Sequence, residues 1–153
     1  MSKLDLSAPN LNNHPPRSCR IRLGGYVILP RMLDKCRAVI AGTNGDYHYA
    51  CPIDQRFLQF AGVDAEALKV EVAKGLSDWE ILQWVEQNAA NKPSPVEIAQ
   101  WSTFREAAVP ADNGSREFVS SQIKAAGMEH REDLGTWFEW LDADDFASYG
   151  GKA

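Results

Sequence analysis

The sequence predicts an all-α fold: a compact single-domain bundle of about six or seven short helices, with at most a minor β-pair. Three observations carry this expectation. Apolar residues recur at helical spacing in successive windows along the chain. The windows are bracketed by start and stop signals, with Ser, Asp or Pro ahead and Gly behind. No stretch longer than four residues alternates apolar and polar side chains in the manner of a strand. At 153 residues the chain has the length of one ordinary domain, enough to bury a core without disulfides or metals.

The first helix is expected in "PRMLDKCRAVIAG", where Pro30 suits the first turn and Gly42 sits at the C-terminal cap. Met32, Leu33, Cys36, Val39 and Ile40 share one face of it, with Arg31, Asp34 and Lys35 opposite. Pro52 starts a second, short helix through Phe57, Leu58 and Phe60 that ends at Gly62. Asp64 then caps "AEALKVEVAK", which stops at Gly75. Ser77 and Glu80 form a capping box, and Ser94 and Glu97 repeat it with Pro95 at the first helical position. The helix after Ser94 is expected to bury Ile98, Trp101 and Phe104 or Ala108. Another runs near Ser115 to Ala126 and ends at Gly127. The last carries Leu134, Trp137, Phe138 and Leu141 at i, i+3, i+4 and i+7. Only "RIRLGGYVIL" and "DYHYA" have the composition for a short β-pair. Residues 1–16, polar and holding three prolines, are expected to form a flexible arm, and 17–149 a single helical domain.

Apolar residues at 44% and charged residues at 24% are ordinary for a globular protein. The longest apolar run, Tyr26 to Pro30, is far short of the roughly 20 residues of a membrane helix. No signal-peptide pattern opens the chain, so a cytoplasmic protein is expected. Three scattered cysteines, Cys19, Cys36 and Cys51, fit reduced thiols better than a disulfide framework. A pI near 5.2, with no recognition-helix motif or aromatic platform, argues against a nucleic-acid partner. The net charge of −5 is unevenly spread. Between Arg17 and Ala41 stand six bases and one acid, and between Asp112 and Asp145 nine acids and three bases. The two regions either face one another, across the fold or a dimer interface, or the basic one attracts an anion. The first requires less.

Four motifs in order, "LGGYVILPRMLDKCRA", "FLQFAGVDAEAL", "GLSDWEILQWV" and "TWFEWLDADD", resemble a bacterial family known as a domain of unknown function. The resemblance covers roughly Pro16 to Ser148. It implies one domain and assigns no reaction, cofactor or catalytic residue.

Reactive side chains gather in "GDYHYACPID", residues 45–54. With Pro52 at the first helical position, Cys51 is the N-cap, where the helix dipole favours a thiolate. His48 lies one turn back as a base, and Asp54 stands in the first turn to orient its ring. Tyr47 or Tyr49 could serve as proton donor. Catalytic groups usually come from separated segments, so a helix start whose reactive groups serve structure is the plainer reading. Metal binding is not indicated: no C-x-x-C or H-x-x-x-H pair occurs, and "DADD" at Asp142 to Asp145 lacks the glycine and distal glutamate of a calcium loop. The third candidate is cationic. Arg31, Lys35 and Arg37 project from the first helix after Gly24-Gly25, with Tyr47 and Tyr49 as further contacts for a small anion. The plainer alternative pairs Asp34 with Arg31 or Arg37 on a solvated face. No phosphate-loop motif is present.

Of five tryptophans, Trp101 and Trp137 fall on apolar faces. Trp79 and Trp140 lie off them, and if both were exposed they would mark a homodimer or partner interface. The sequence therefore favours a cofactor-free binding or interaction module with an anion-accepting cleft. The alternative is a small thiol-dependent, hydrolase-like enzyme centred on Cys51, His48 and Asp54.

Overall fold

The structure, a computed structural model, describes residues 8–152. Seven helices follow one another along the chain. They are α1 (Leu29–Ala41), α2 (Pro52–Ala61), α3 (Ala65–Val72), α4 (Asp78–Asn88), α5 (Pro95–Ala107), α6 (Asn113–Ala125) and α7 (Trp137–Ser148). Local chemistry sets their ends. Capping boxes open α4 at Ser77–Glu80, α5 at Ser94–Glu97 and α7 at Thr136–Glu139, and Asp64 and Asp112 accept N–H bonds at the starts of α3 and α6. Gly42 and Gly62 take left-handed conformations that end α1 and α2. The Thr136 box places Leu134 before α7, so the expected four-residue stripe loses its first member.

Among the described residues the only β feature is a bridge between Leu23 and Tyr26, whose N–H and C=O groups exchange two bonds of 3.0 Å. Gly24 and Gly25, both at positive φ, turn the chain between them. A Cβ on Gly24 would stand 2.6 Å from Leu82, so this turn packs tightly onto α4. "DYHYA" forms no strand.

The core is built around α1. Val27, Ile28, Leu29, Met32, Leu33 and Cys36 are fully buried against Phe57 of α2, Leu68 of α3, Ile81 and Val85 of α4, and Phe138 of α7. Tyr26 meets Phe57 edge-on, with ring centroids 5.1 Å apart. Ser102 of α5 is buried, donating to Gly25 O at 2.7 Å and accepting from Val27 N–H at 3.2 Å. Phe104 is 60% exposed and lies outside this core, as does Ile40 in the last turn of α1, while Ile98 and Trp101 pack against it.

α1 departs from the expectation in one respect that governs the site. Arg31 and Lys35, expected on a solvated face, are 4% and 3% exposed. Helices α2 and α7 cover that face as well, and each brings a carboxylate to it. Arg31 grips Asp145 with two bonds of 2.6 and 3.1 Å, and the Lys35 ammonium lies 2.9 Å from Asp54. Asp34 pairs with Arg17 rather than with Arg31 or Arg37. The basic and acidic regions do meet across the fold, through Arg20–Asp142 and Arg31–Asp145.

Of the expected flexible arm, residues 1–7 lie outside the described part. Beyond them the chain is fastened: Leu11 is buried, its N–H donates to Thr43 O at 2.8 Å, and its carbonyl accepts from the Tyr149 hydroxyl. Among the described residues no helix is long and apolar enough to cross a membrane.

Candidate functional site

A cleft of about 1010 Å³ opens between α7 and residues of α1, α2, α5 and α6. One stripe of α7 lines it, Trp137, Trp140, Leu141, Asp144 and Ser148, which is the 3.6-residue spacing of a single helix face. Opposite stand Ser115, Phe118 and Gln122 of α6, and Arg105 near the C-terminus of α5. Pro52, Ile53 and Arg56 from the first turns of α2, together with Arg31 and Lys35 of α1, complete the wall. The α5 end is tied to the start of α7 by the Trp137 N–H bond to Ala108 O, 3.1 Å.

Residues of both sequence-derived sites border this one cleft: Arg31, Lys35, Tyr47, His48 and Cys51. Arg37, Tyr49 and Asp54 do not. Arg37 turns to the far side of α1 and binds Asp78 at 2.6 Å. Tyr49 donates to Ala65 O at 2.7 Å, and burial pushes its hydroxyl far above the ordinary range. Asp54 is fully buried beneath the cleft floor.

The catalytic arrangement expected in "GDYHYACPID" is not assembled. Cys51 is the N-cap of α2, as its spacing from Pro52 requires, but its polar neighbour is Lys35 Nζ at 3.1 Å. Asp54 faces Lys35 rather than His48. Burial pushes its carboxyl up against the opposing pull of the ammonium. The ammonium stands 2.9 Å from Asp54 Oδ2, and the backbone of Ala50 and Cys51 also favours the charged carboxylate. His48 is exposed and bonds to neither residue. Cys19 and Cys36 are fully buried, their thiols pushed up to about 12 and about 11 by desolvation, so Cys51 is the one accessible thiol of the three.

The cationic expectation needs a similar correction. Arg31, Lys35 and Arg37 each already have a carboxylate: Asp145, Asp54 and Asp78. Tyr47 is drawn into the first of these pairs, its hydroxyl donating to Asp145 Oδ1 at 2.8 Å. The glycine pair faces Leu82 and Ile98, an apolar contact that offers an anion nothing.

Two other cations in the cleft, which local pattern did not mark, have no carboxylate partner among the described residues: Arg56 and Arg105. Arg105 Nε is buried without a hydrogen bond, and burial, reinforced by the Arg56 charge, pulls its guanidinium below the ordinary value. Its one cation contact is with the neighbouring Phe104 ring, 4.8 Å from the centroid. Trp140 Nε1, from another residue lining the cleft, is a second buried donor without an acceptor among the described residues. Trp140 is only partly exposed and meets Phe118 and Trp137 edge-on at 5.7 and 6.1 Å, so it belongs to the cleft wall. Trp79, by contrast, is 63% exposed. The interface expectation required both rings at the surface and is met by one.

The chain belongs to the family described as "Domain of unknown function (DUF5069)", which it matches over residues 13–147. The comparison with curated proteins finds no match.

Proposed function

We propose that this domain is a binding module that takes a small anionic ligand into the cleft, with the acid group held between Arg56 and Arg105. The observation that carries the reading is the pairing of two like charges, one with a buried unsatisfied donor, in a cleft that supplies neither with a carboxylate. Arg105 is part-buried, and a cation drawn out of water without a counter-charge is costly; Arg31, the third arginine of the cleft, has Asp145, while Arg56 is exposed. An arriving carboxylate or phosphate would satisfy both guanidiniums through short charge-assisted bonds in the planar, forked geometry that suits arginine.

The test is a thermal-shift panel of phosphates and small carboxylates against the whole chain and its Arg105→Ala variant. A compound at about a hundred times its dissociation constant adds about 2.7 kcal/mol to stability. Arg105→Ala should abolish that shift while leaving the unliganded protein as stable or more so, because it removes an uncompensated charge. The reading fails if no compound moves the midpoint, or if Arg105→Ala leaves the shift intact.

A second reading rests on the 3.1 Å contact of Lys35 Nζ with Cys51 Sγ, an ammonium beside an accessible thiol, and makes this a thiol-dependent enzyme. It is the weaker of the two, since Lys35 shares its charge with Asp54 and no base reaches the sulfur. Loss of any ligand turnover in Cys51→Ser, with binding retained, would favour it. Retained turnover would remove it.

A further inference from the structure

We infer, resting on the anion-binding reading, that the ligand is a flat-ringed organic anion of mononucleotide size, with its acid group between Arg56 and Arg105 and its ring against Phe118 and Trp140.

Three features of the cleft point this way. The first is size. A lone phosphate or acetate would leave most of about 1010 Å³ unfilled. The α7 stripe from Trp137 to Ser148 also spans 12 residues, whose rises of about 1.5 Å each make roughly 16 Å from end to end. The second is the aromatic wall. Phe118 lines the cleft from α6 and is 50% exposed, in a T-shaped contact with Trp140 at 79°. A flat ring lying there would bury that exposed surface and bring an acceptor to the unsatisfied Trp140 Nε1.

The third is the direction of charge along the cleft. At the Tyr47 end, Arg31 is neutralised by Asp145, which leaves the half-buried Asp144 and the neighbouring Asp46 in excess. The Asp144 carboxyl is raised by burial first and by Asp145 second, against a smaller opposing pull from Arg31. At the other end Arg56 and Arg105 stand without acidic partners among the described residues. An acid group is therefore repelled from one end and attracted to the other, and the ring of a bound molecule is left beside Phe118.

Calorimetric titration with matched pairs tests this: adenosine 5′-monophosphate against ribose 5-phosphate, and phenyl phosphate against methyl phosphate. The ring-bearing member of either pair should bind about tenfold more tightly, the usual scale for a ring stacked on an aromatic side chain. Phe118→Ala, at a half-exposed position that a folded chain tolerates, should remove this advantage while ringless binding persists. Equal affinity within both pairs, or an equal loss for both members in Phe118→Ala, overturns the inference. If Arg105→Ala still abolishes binding in that case, the anion cleft stands and only the ring is wrong. If no member binds and Arg105→Ala changes nothing, both fall together.

Discussion

Replacing Asp145 by Leu should be among the most damaging single changes in this chain, although Asp145 lies near the end of the last helix. The side chain is buried beside Arg31, which it holds through bonds of 2.6 and 3.1 Å, and it also accepts the Tyr47 hydroxyl at 2.8 Å. Leucine fills the volume but leaves a guanidinium sealed from water with no counter-charge. Breaking one side of a buried pair costs about 3–5 kcal/mol, a large part of the roughly 5–15 kcal/mol that holds a domain folded. For a chain of this length each kcal/mol moves the thermal midpoint by about 2–4 °C, so the drop should be roughly 6–20 °C. Arg31→Met alone should cost a similar amount, because it strands the Asp145 carboxylate. The double variant should lose far less than the sum, since a buried pair exchanged for apolar side chains of similar volume is often close to neutral. Urea denaturation of the four proteins gives the coupling directly, and about 3 kcal/mol or more is expected. Additive losses, or a single variant costing under about 1 kcal/mol, would refute the reasoning and place this pair in contact with water.

Three further outcomes follow from the same packing. Iodoacetamide at neutral pH should modify Cys51 in the folded protein and reach Cys19 and Cys36 only after unfolding, as peptide mapping would show, because those two thiols are buried and raised. The pH dependence of stability should separate two aspartates in urea titrations across the acid range. Burial works to raise Asp78, but hydrogen bonds from Arg17 and Arg37 prevail and hold it low, so its contribution is present above the ordinary carboxylate range and lost as pH falls through its folded value. Asp78→Asn should accordingly flatten the acid limb. Asp144 is raised, so the opposite sign applies: its contribution is present at low pH and lost as pH rises, and Asp144→Asn should stabilise the protein at pH 7 with the gain vanishing in acid. Finally, Phe57→Ala should cost about 3–5 kcal/mol by emptying the centre of the core and removing the ring that Tyr26 packs against, as read by a thermal melt.

The helices could be read from the sequence because their ends are local. Ser77 and Glu80, or Ser94 and Glu97, lie three residues apart and satisfy one another inside a single turn, whatever the rest of the chain does. Thr136 and Glu139 obey the same rule and were there to be read. The position of Cys51 ahead of Pro52 was legible for the same reason. The site was legible only in part. Tyr47, His48 and Cys51 share a loop, and Arg31 and Lys35 share a helix face, so proximity along the chain brought them together. Arg56, Arg105, Phe118, Trp140 and Asp144 come from four helices, and no spacing within one helix marks a residue as facing another.

The seven-helix, all-α character of the described chain and the start of most of its helices were thus present in residue order alone, because caps and apolar periodicity act over a few positions. What only the tertiary structure decided is which charges are satisfied. Arg31 and Arg105 are the same residue type on helices of similar length. One meets Asp145, 114 positions away, and the other meets no acid among the described residues. The free energy of a charge depends on what the fold places within a few ångströms of it, and that distance is unrelated to separation along the chain.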